Sequence, residues 1–162
     1  MEKIKTVKGT HDLFDEDSQT YDLVIKVAEL ICCSFNYQKM TTPIIEKSNV
    51  FQKTLGESSD VISKEMYTFL DIGGESITLR PEGTAPITRA IISNSLHERI
   101  NQRFYYFGPM FRRERPQSGR LRQFHQFGIE IFNDNSFYAD AEALLLSTKI
   151  IKNLGLENNL KL

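Results

Sequence analysis

Five arginines lie within the eleven residues from Arg112 to Arg122, around a Pro-Gln-Ser-Gly turn and a single acid, Glu114. A guanidinium presents a planar fork of N–H donors that matches two oxygens of a phosphate or carboxylate, and it keeps its charge at physiological pH. This loop is therefore suited to binding a triphosphate. The alternative is a solvated, charged hairpin tip, which is the commoner explanation for a run of charge taken alone.

The residues that follow this loop predict a strand with chemistry on one face. Because residues two apart in a strand share a face, one side carries a ring, an amide, a glycine and a carboxylate. These four residues are Phe124, Gln126, Gly128 and Glu130. They predict the floor of a ligand pocket with a gap for substrate, whereas the alternative is a solvent-exposed sheet face. On the opposite, apolar side we expect His125 to pack rather than to act as a metal ligand or base.

A second candidate site is the turn from Leu79 to Thr84, in which a strand leads through Pro and Gly into a helix. Here Glu82 either pairs with a substrate ammonium group or complements the helix dipole. Acidic residues are common in the first turn of a helix, so the residues alone favour neither interpretation.

Composition narrows the class of protein. A chain of 162 residues is expected to form one domain, and its 40% hydrophobic residues and mean hydropathy of −0.34 are typical of a globular protein. The net charge is −1, yet residues 97–125 hold seven basic and two acidic residues, a net charge of +5. This distribution predicts a local anion site rather than general adhesion to nucleic acid.

Several other chemistries are not supported by the sequence. It contains no glycine-rich phosphate loop, no Cys and His cluster with zinc spacing, and no Ser-His-Asp arrangement among its three histidines. Cys32 and Cys33 are adjacent in a helical pattern, where neighbouring thiols cannot easily bridge, which favours a reduced, cytosolic compartment. No run of residues has the composition of a signal peptide or a membrane span.

The elements that must position these residues can be predicted from periodicity. Apolar residues at three- and four-residue spacing predict a helix over 17–35, and β-branched residues predict a strand over 40–46. Pro43 places that strand at a sheet edge or an interface. The Gly73-Gly74 pair predicts a hairpin over 66–80, followed by a helix that Thr84 caps and that frays near residue 94.

The remaining elements complete an α+β pattern. Aromatic-rich runs at 104–111 and 123–132 predict a longer hairpin around the arginine loop. A helix is predicted over 138–154, with Gly155 at its C′ position, and residues 157–162 resemble the start of another strand. Because hairpins join antiparallel strands, the fold class is α+β, with an antiparallel sheet flanked by helices.

Four segments together resemble a known family. FRRERPQSGRLRQFHQFGIEIF at 111–132 resembles motif 2 of the class II aminoacyl-tRNA synthetases, and of the histidyl-tRNA synthetases in particular. KGTHDL at 8–13, TTPIIE at 41–46 and LRPEGT at 79–84 resemble that family's opening segment, motif 1 and histidine-binding turn, in the same order. The resemblance covers nearly the whole chain.

The resemblance implies an activity and a histidine site. Members of this family use Mg²⁺ and ATP to convert L-histidine to histidyl-adenylate and then charge tRNA(His), as cytoplasmic homodimers. By position, Glu82 and Thr84 would meet the amino group of histidine, and Gly83 would allow its close approach. Gln126 and Glu130 would complete the amino-acid pocket, with Glu130 on the imidazole side.

The resemblance also implies an ATP site. Arg112 would contact the α-phosphate and the substrate carboxylate, and it is the expected catalytic residue. Glu114 would bind the adenine edge, Arg120 the outer phosphates, and Phe124 would stack on adenine. Pro43 would lie at the dimer interface. No residue is assigned as a metal ligand.

Family members extend beyond this length, so residues 1–162 are expected to be the N-terminal part of the catalytic domain. Motif 3, a histidine-specific arginine segment and an anticodon-binding domain are not found, and little full aminoacylation activity is expected. Two alternatives remain. One is the synthetase-like regulatory subunit of ATP phosphoribosyltransferase, which ranks lower because charging demands the LRPEGT turn and the arginine loop. The other is a non-catalytic module that binds RNA or another anion.

Overall fold

Helices and short strands alternate along the part of the chain that this computed structural model describes, which is residues 3–55, 65–114 and 119–158. The helices are α1 (Asp15–Ser34), α2 (Ser48–Leu55), α3 (Thr84–Ser93) and α4 (Phe137–Asn153), with a 3-10 turn at Leu96–Glu98. The strands are β1 (Gln38–Lys39), β2 (Ile45–Lys47), β3 (Tyr67–Leu70), β4 (Ser76–Leu79), β5 (Gln102–Phe111) and β6 (Gln123–Phe132). The predicted α+β class is confirmed.

The chain divides into two units. The first comprises Met1–Asp12, Thr41–Ser95 and Phe107–Gln126. The second comprises Leu13–Met40, Leu96–Tyr106 and Phe127–Leu162. Strands β5 and β6 therefore contribute residues to both units.

The first unit contains an antiparallel sheet in the order β2-β4-β3. The predicted hairpin is β3 and β4, and the predicted edge strand is β2, although β2 is shorter than expected. It begins at Ile45 because the exposed Pro43 has no N–H to donate to a ladder. Hydrogen bonds between hydroxyl groups connect the elements of this unit. Thr78 Oγ1 lies 2.7 Å from Ser48 Oγ and 2.9 Å from Thr68 Oγ1.

The second unit departs from the expected all-antiparallel sheet. Its strand order is β1-β5-β6, and β1 pairs with β5 in parallel, with Gln38 opposite Phe104. The second hairpin is found where it was predicted, as the neighbouring strands β5 and β6. A core of Cys32, Tyr37, Tyr105 and Leu146 lies between this sheet and helices α1 and α4.

The helices begin and end close to the predicted residues, but the residues that cap them differ from the prediction. Helix α1 starts two residues early and has no side-chain cap, although its first turn carries three acids that complement the helix dipole. Helix α4 ends as predicted before Gly155, whose φ is 71°. The eight-residue α2 was not predicted. The predicted terminal strand falls on residues 157–162, of which 157 and 158 form a turn and the rest lie outside the described residues. Within the described ranges, no helix has the length and apolar character needed to cross a membrane.

Candidate functional site

The LRPEGT turn is held by the side chain of Glu82. Its Oε2 accepts a hydrogen bond from the Thr84 N–H at 2.6 Å, and its Oε1 accepts one from the Ala85 N–H at 2.9 Å. The residue before the helix is Gly83 rather than the predicted Thr84, which is instead the first residue of α3 and is exposed. Glu82 therefore stabilises the helix start. Because a carboxylate has about four acceptor positions, it also retains capacity for an ammonium group.

Arg112 lies beside this turn. Its Nε donates a hydrogen bond to the Pro81 carbonyl at 2.9 Å, and its guanidinium carbon lies 5.0 Å from the centre of the Phe124 ring. The backbone N–H of Arg112 donates to the Arg122 carbonyl at 2.9 Å, which closes the base of the arginine loop. The turn and the loop that the sequence singled out separately thus meet at one contact, between Arg112 and Pro81.

Glu114 lies between two arginines. Its Oε1 is 3.9 Å from Arg112 Nη1, and its Oε2 is 3.3 Å from Arg120 Nη1. The Glu114 side chain is 14% exposed whereas that of Arg120 is 63% exposed, so the carboxylate anchors a largely solvated arginine. Of the five loop arginines, Arg115 lies outside the described residues.

These residues line an open cavity of about 480 Å³. Its lining residues are Glu65, Arg112, Glu114, Gly119, Arg120, Leu121 and Phe124. Two arginines, two carboxylates and one aromatic ring therefore face a common space in the first unit. This combination suits a ligand with both an anionic and a flat aromatic part.

A buried arginine that the sequence did not single out supports the site. Arg80 is only 5% exposed, and its guanidinium donates to the Pro109 carbonyl at 3.0 Å and to the Thr42 carbonyl at 3.0 Å. It also reaches Thr42 Oγ1 at 3.1 Å. Arg80 thereby ties the segment before β2 to β5 and fixes the strand end from which the LRPEGT turn departs. The sequence did not indicate this role, because most arginines are exposed and nothing in the residue type marks one that is buried.

The opening segment of the chain contacts the base of the arginine loop. The Gly9 carbonyl accepts hydrogen bonds from the N–H of Arg122 at 2.8 Å and of Gln123 at 3.3 Å. Gly9 has a φ of 86°, and a Cβ there would lie 2.9 Å from Cγ of Arg122. Only glycine satisfies both the backbone conformation and this close approach.

The predicted pocket strand is β6, and its residues belong to different units. Gln126 is half-buried in the first unit, and Glu130 is half-buried in the second. The prediction that His125 packs on an apolar face is wrong, because its side chain is exposed near the start of β6. Partial desolvation, followed by the proximity of His11, lowers the pKa of the His125 imidazole.

The gap expected at Gly128 is also not present. The ring of Tyr106, on β5, occupies the space that a side chain at position 128 would take. Within the ranges 3–55, 65–114 and 119–158, no three His, Cys, Asp or Glu side chains are grouped closely enough to bind a metal ion by themselves.

Comparison with known proteins agrees with the resemblance seen in the motifs. The model of the family described as Histidyl-tRNA synthetase matches residues 9–162. The histidine–tRNA ligase of Thermotoga petrophila is 50% identical over 153 residues, which cover 94% of this chain and 36% of that protein. The histidine–tRNA ligase of Hydrogenovibrio crunogenus is 46% identical over 156 residues, covering 96% and 37%. The chain thus spans little more than a third of the length of these relatives.

Solved structures show the same fold. The apo histidyl-tRNA synthetase of S. aureus is similar with a TM-score of 0.79 and 35% identity, over 96% of this chain and 36% of that one. A Bacillus halodurans protein described as an ATP phosphoribosyltransferase regulatory subunit/histidyl-tRNA synthetase gives a TM-score of 0.82 at 25% identity, over 97% and 40%. The family match over 9–162 and the close relatives together establish that this chain belongs to the histidyl-tRNA synthetase family.

Proposed function

We propose that this chain provides the ATP-binding part, and most of the amino-acid-binding part, of a histidine–tRNA ligase. The observation that carries the proposal is the 2.9 Å hydrogen bond from Arg112 Nε to the Pro81 carbonyl. It fixes a guanidinium next to the turn that holds Glu82. An enzyme that joins an amino acid to ATP needs a positive group to bind the phosphate and a negative group to bind the amino group. Arg112 and Glu82 supply these two groups.

The reaction needs alignment more than it needs a protein nucleophile. The carboxylate of histidine attacks the α-phosphate of ATP, and pyrophosphate leaves. Arg112 stabilises the charge that develops on the phosphoryl oxygens and holds the attacking carboxylate in line. Its orientation is set in advance by Pro81, so little reorganisation is needed when the substrates react.

ATP would occupy the cavity lined by Arg112, Glu114, Arg120 and Phe124. Arg120 is exposed and suits the outer phosphates, Phe124 offers a ring for adenine, and Glu114 offers acceptors for the adenine amino group. The cavity also contains a second carboxylate, that of Glu65, while Glu114 is taken by the adenine. One or two carboxylates are what Mg²⁺ usually takes when phosphates supply its other ligands, and the ion would neutralise phosphate charge.

Histidine would bind through its amino group to Glu82 and Thr84, over the buried Gly83. Gln126 and Glu130 would complete its pocket, with Glu130 on the side of the imidazole. By the same proposal, tRNA(His) is the acceptor, the enzyme is a cytoplasmic homodimer, and the exposed Pro43 lies at its interface.

A calorimetric titration of the 162-residue chain with L-histidine, in the presence of Mg²⁺ and ATP, tests this function. We expect saturable, histidine-specific heat that is lost in Glu82→Gln, which removes the charge but keeps one of the two acceptor oxygens for the helix N–H groups. Arg113→Ala is the matched control, because its exposed side chain belongs to the same loop but lies outside the cavity lining. Absence of histidine heat in the folded wild-type chain would contradict the proposal.

The similarity to the Bacillus halodurans protein supports a second candidate, a regulatory subunit of ATP phosphoribosyltransferase. The two candidates differ in whether ATP and histidine react. Histidine-dependent exchange of labelled pyrophosphate into ATP, measured with the full-length protein, would identify a ligase. Histidine binding without exchange would favour the regulatory subunit.

A further inference from the structure

The space beside Gly128 is filled by a tyrosine. Tyr106 is 5% exposed, and a Cβ placed on Gly128 would lie far inside the van der Waals distance of both Cζ and the hydroxyl oxygen of Tyr106. Real Cβ atoms do not make contacts this short, so residue 128 can only be glycine while Tyr106 keeps this position. The phenol hydroxyl therefore stands in for a side chain at position 128.

The position of that hydroxyl relates it to Glu130. Gly128 and Glu130 are two residues apart in β6, so they share a face and their Cα atoms are roughly 6.5 Å apart. We infer that Tyr106 is a specificity-determining residue, whose hydroxyl forms the pocket floor beside Glu130 and selects an imidazole side chain. This inference rests on the proposed function, in which Glu130 meets the imidazole of histidine.

The chemistry of the two groups explains why both are needed. A neutral imidazole has one N–H donor and one acceptor nitrogen, whereas an ionised carboxylate can only accept and a phenol can both donate and accept. A floor made of Glu130 and the Tyr106 hydroxyl can match both nitrogens, directly or through water. An apolar side chain of similar size would leave these polar groups unpaired, which is a strong basis for rejecting it.

Tyr105 provides a matched control on the same strand. It is also 5% exposed, but it packs into the core, where its ring stacks on Phe127 with centroids 5.9 Å apart. Burial, followed by the proximity of Glu29 and Cys33, raises its pKa to about 12. Because neighbouring strand residues face opposite ways, Tyr105→Phe removes the same hydroxyl from the other face of β5.

The test compares Tyr106→Phe, Gly128→Ala and Tyr105→Phe with wild type, in titrations of the 162-residue chain with ATP alone and then with L-histidine. Circular dichroism and urea unfolding report whether each variant folds. We expect Tyr106→Phe to lower histidine affinity about tenfold, the loss of one buried hydrogen bond, while ATP affinity stays within about twofold. Gly128→Ala should weaken histidine binding at least as much, because its methyl group displaces the phenol.

Each result bears on a different claim. Unchanged histidine affinity in Tyr106→Phe, with a wild-type chain that binds histidine, overturns the inference and leaves the proposed function standing. An equal loss in Tyr105→Phe also overturns it, since the effect would then be one of general stability. If the wild-type chain binds no histidine, the proposed function fails and the inference fails with it.

Discussion

The two units each contain an arginine cluster, and the clusters use the same residue types in opposite ways. In the second unit, Arg103 donates to the Glu142 carboxylate at 2.7 and 3.2 Å and to Asp134 at 3.1 Å. In the first unit, Arg112 donates to a neutral carbonyl, and its nearest carboxylate oxygen, on Glu114, is 3.9 Å away. That distance is too long for a hydrogen bond.

The difference lies in charge balance. The Arg103 cluster has two carboxylates for one guanidinium, so its cation is fully compensated. In the Arg112 cluster, two guanidinium groups, those of Arg112 and Arg120, share one ion-paired carboxylate, that of Glu114, and line a cavity that Glu65 also lines. Arginines hydrogen-bonded to carboxylates stabilise a fold, whereas an arginine whose side chain is oriented by a carbonyl remains available to an anionic ligand.

Arg112→Ala should cause the largest loss of function with little loss of stability. Removal of one preorganised donor to a reacting oxyanion typically costs 10² to 10³ in rate, or roughly 3 to 4 kcal/mol. We expect this loss in histidine-dependent pyrophosphate exchange, while the free energy of unfolding falls by only about 1 kcal/mol, the net value of the lost hydrogen bond to Pro81. A comparable loss in Arg113→Ala would show that only the charge of the loop matters, which would contradict a specific role for Arg112.

Arg103→Met should show the opposite pattern. It keeps the aliphatic bulk but leaves the Glu142 carboxylate, whose side chain is 25% exposed, without its cation. Breaking such a partly buried pair should cost about 2 kcal/mol of unfolding free energy, less than the 3 to 5 kcal/mol typical of a fully buried one. Urea unfolding measures this loss. Impaired ATP binding in a folded Arg103→Met chain would contradict the division of roles.

Gly9→Ala tests the backbone support of the Arg112 cluster. The added methyl group meets Arg122 at 2.9 Å and imposes a positive φ on alanine, so we expect a loss of about 1 to 2 kcal/mol in stability. ATP affinity should fall as well, because the base of the loop shifts. Gly74→Ala is a suitable control, since it also has a positive φ but has no heavy atom within 4 Å of the Cβ position. Equal effects on ATP affinity would rule out the loop contact as the cause.

The pH dependence of stability should be a smaller effect that belongs to the Arg103 cluster. Hydrogen bonding to Arg103 lowers the pKa of Glu142, and hydrogen bonding to Ser136, followed by Arg103, lowers the pKa of Asp134. A carboxyl pKa lowered by folding means that the unfolded state binds more protons. The stabilisation is therefore complete above the ordinary carboxyl pKa and is lost as pH falls below about 5.

Glu142→Gln should flatten this dependence, which urea midpoints between neutral and acidic pH would detect. Arg112→Ala is the matched variant from the other unit and should leave the slope unchanged. A slope that disappears in Arg112→Ala instead would mean that the two clusters are not distinct in the way their geometry indicates.

Elements with a local signal could be predicted from the sequence. The strands of both hairpins, the start of α3 and the end of α4 follow from alternation, turn residues and a terminal glycine, all of which act over a few residues. The parallel pairing of β1 with β5 could not be predicted, since it joins residues 38–39 to 104–105 and involves only two residues of β1. The short α2 lacks enough turns to show helical periodicity.

The candidate site shows the same limit. Residue types suggested Arg112 and Glu82 as site residues. For Glu82 they favoured neither an ammonium partner nor a helix-start role, and only the structure shows that its carboxylate accepts hydrogen bonds from the first N–H groups of α3. Arg80 and Tyr106 gave no signal, because their roles depend on contacts with Pro109 and Gly128, which are distant in sequence. The ligand roles taken from the family resemblance stay predictions until binding is measured.

The contact between Gly9 and Arg122 has a consequence for the timing of folding. Its two partners are separated by more than one hundred residues, and closing so long a loop is slow and entropically costly. A ribosome adds about 5 to 20 residues per second, so Gly9 is made several seconds before Arg122 and Gln123. During that interval the opening segment has no hairpin to bind. The base of the arginine loop is therefore among the late parts of the fold to form during synthesis, whichever elements form first.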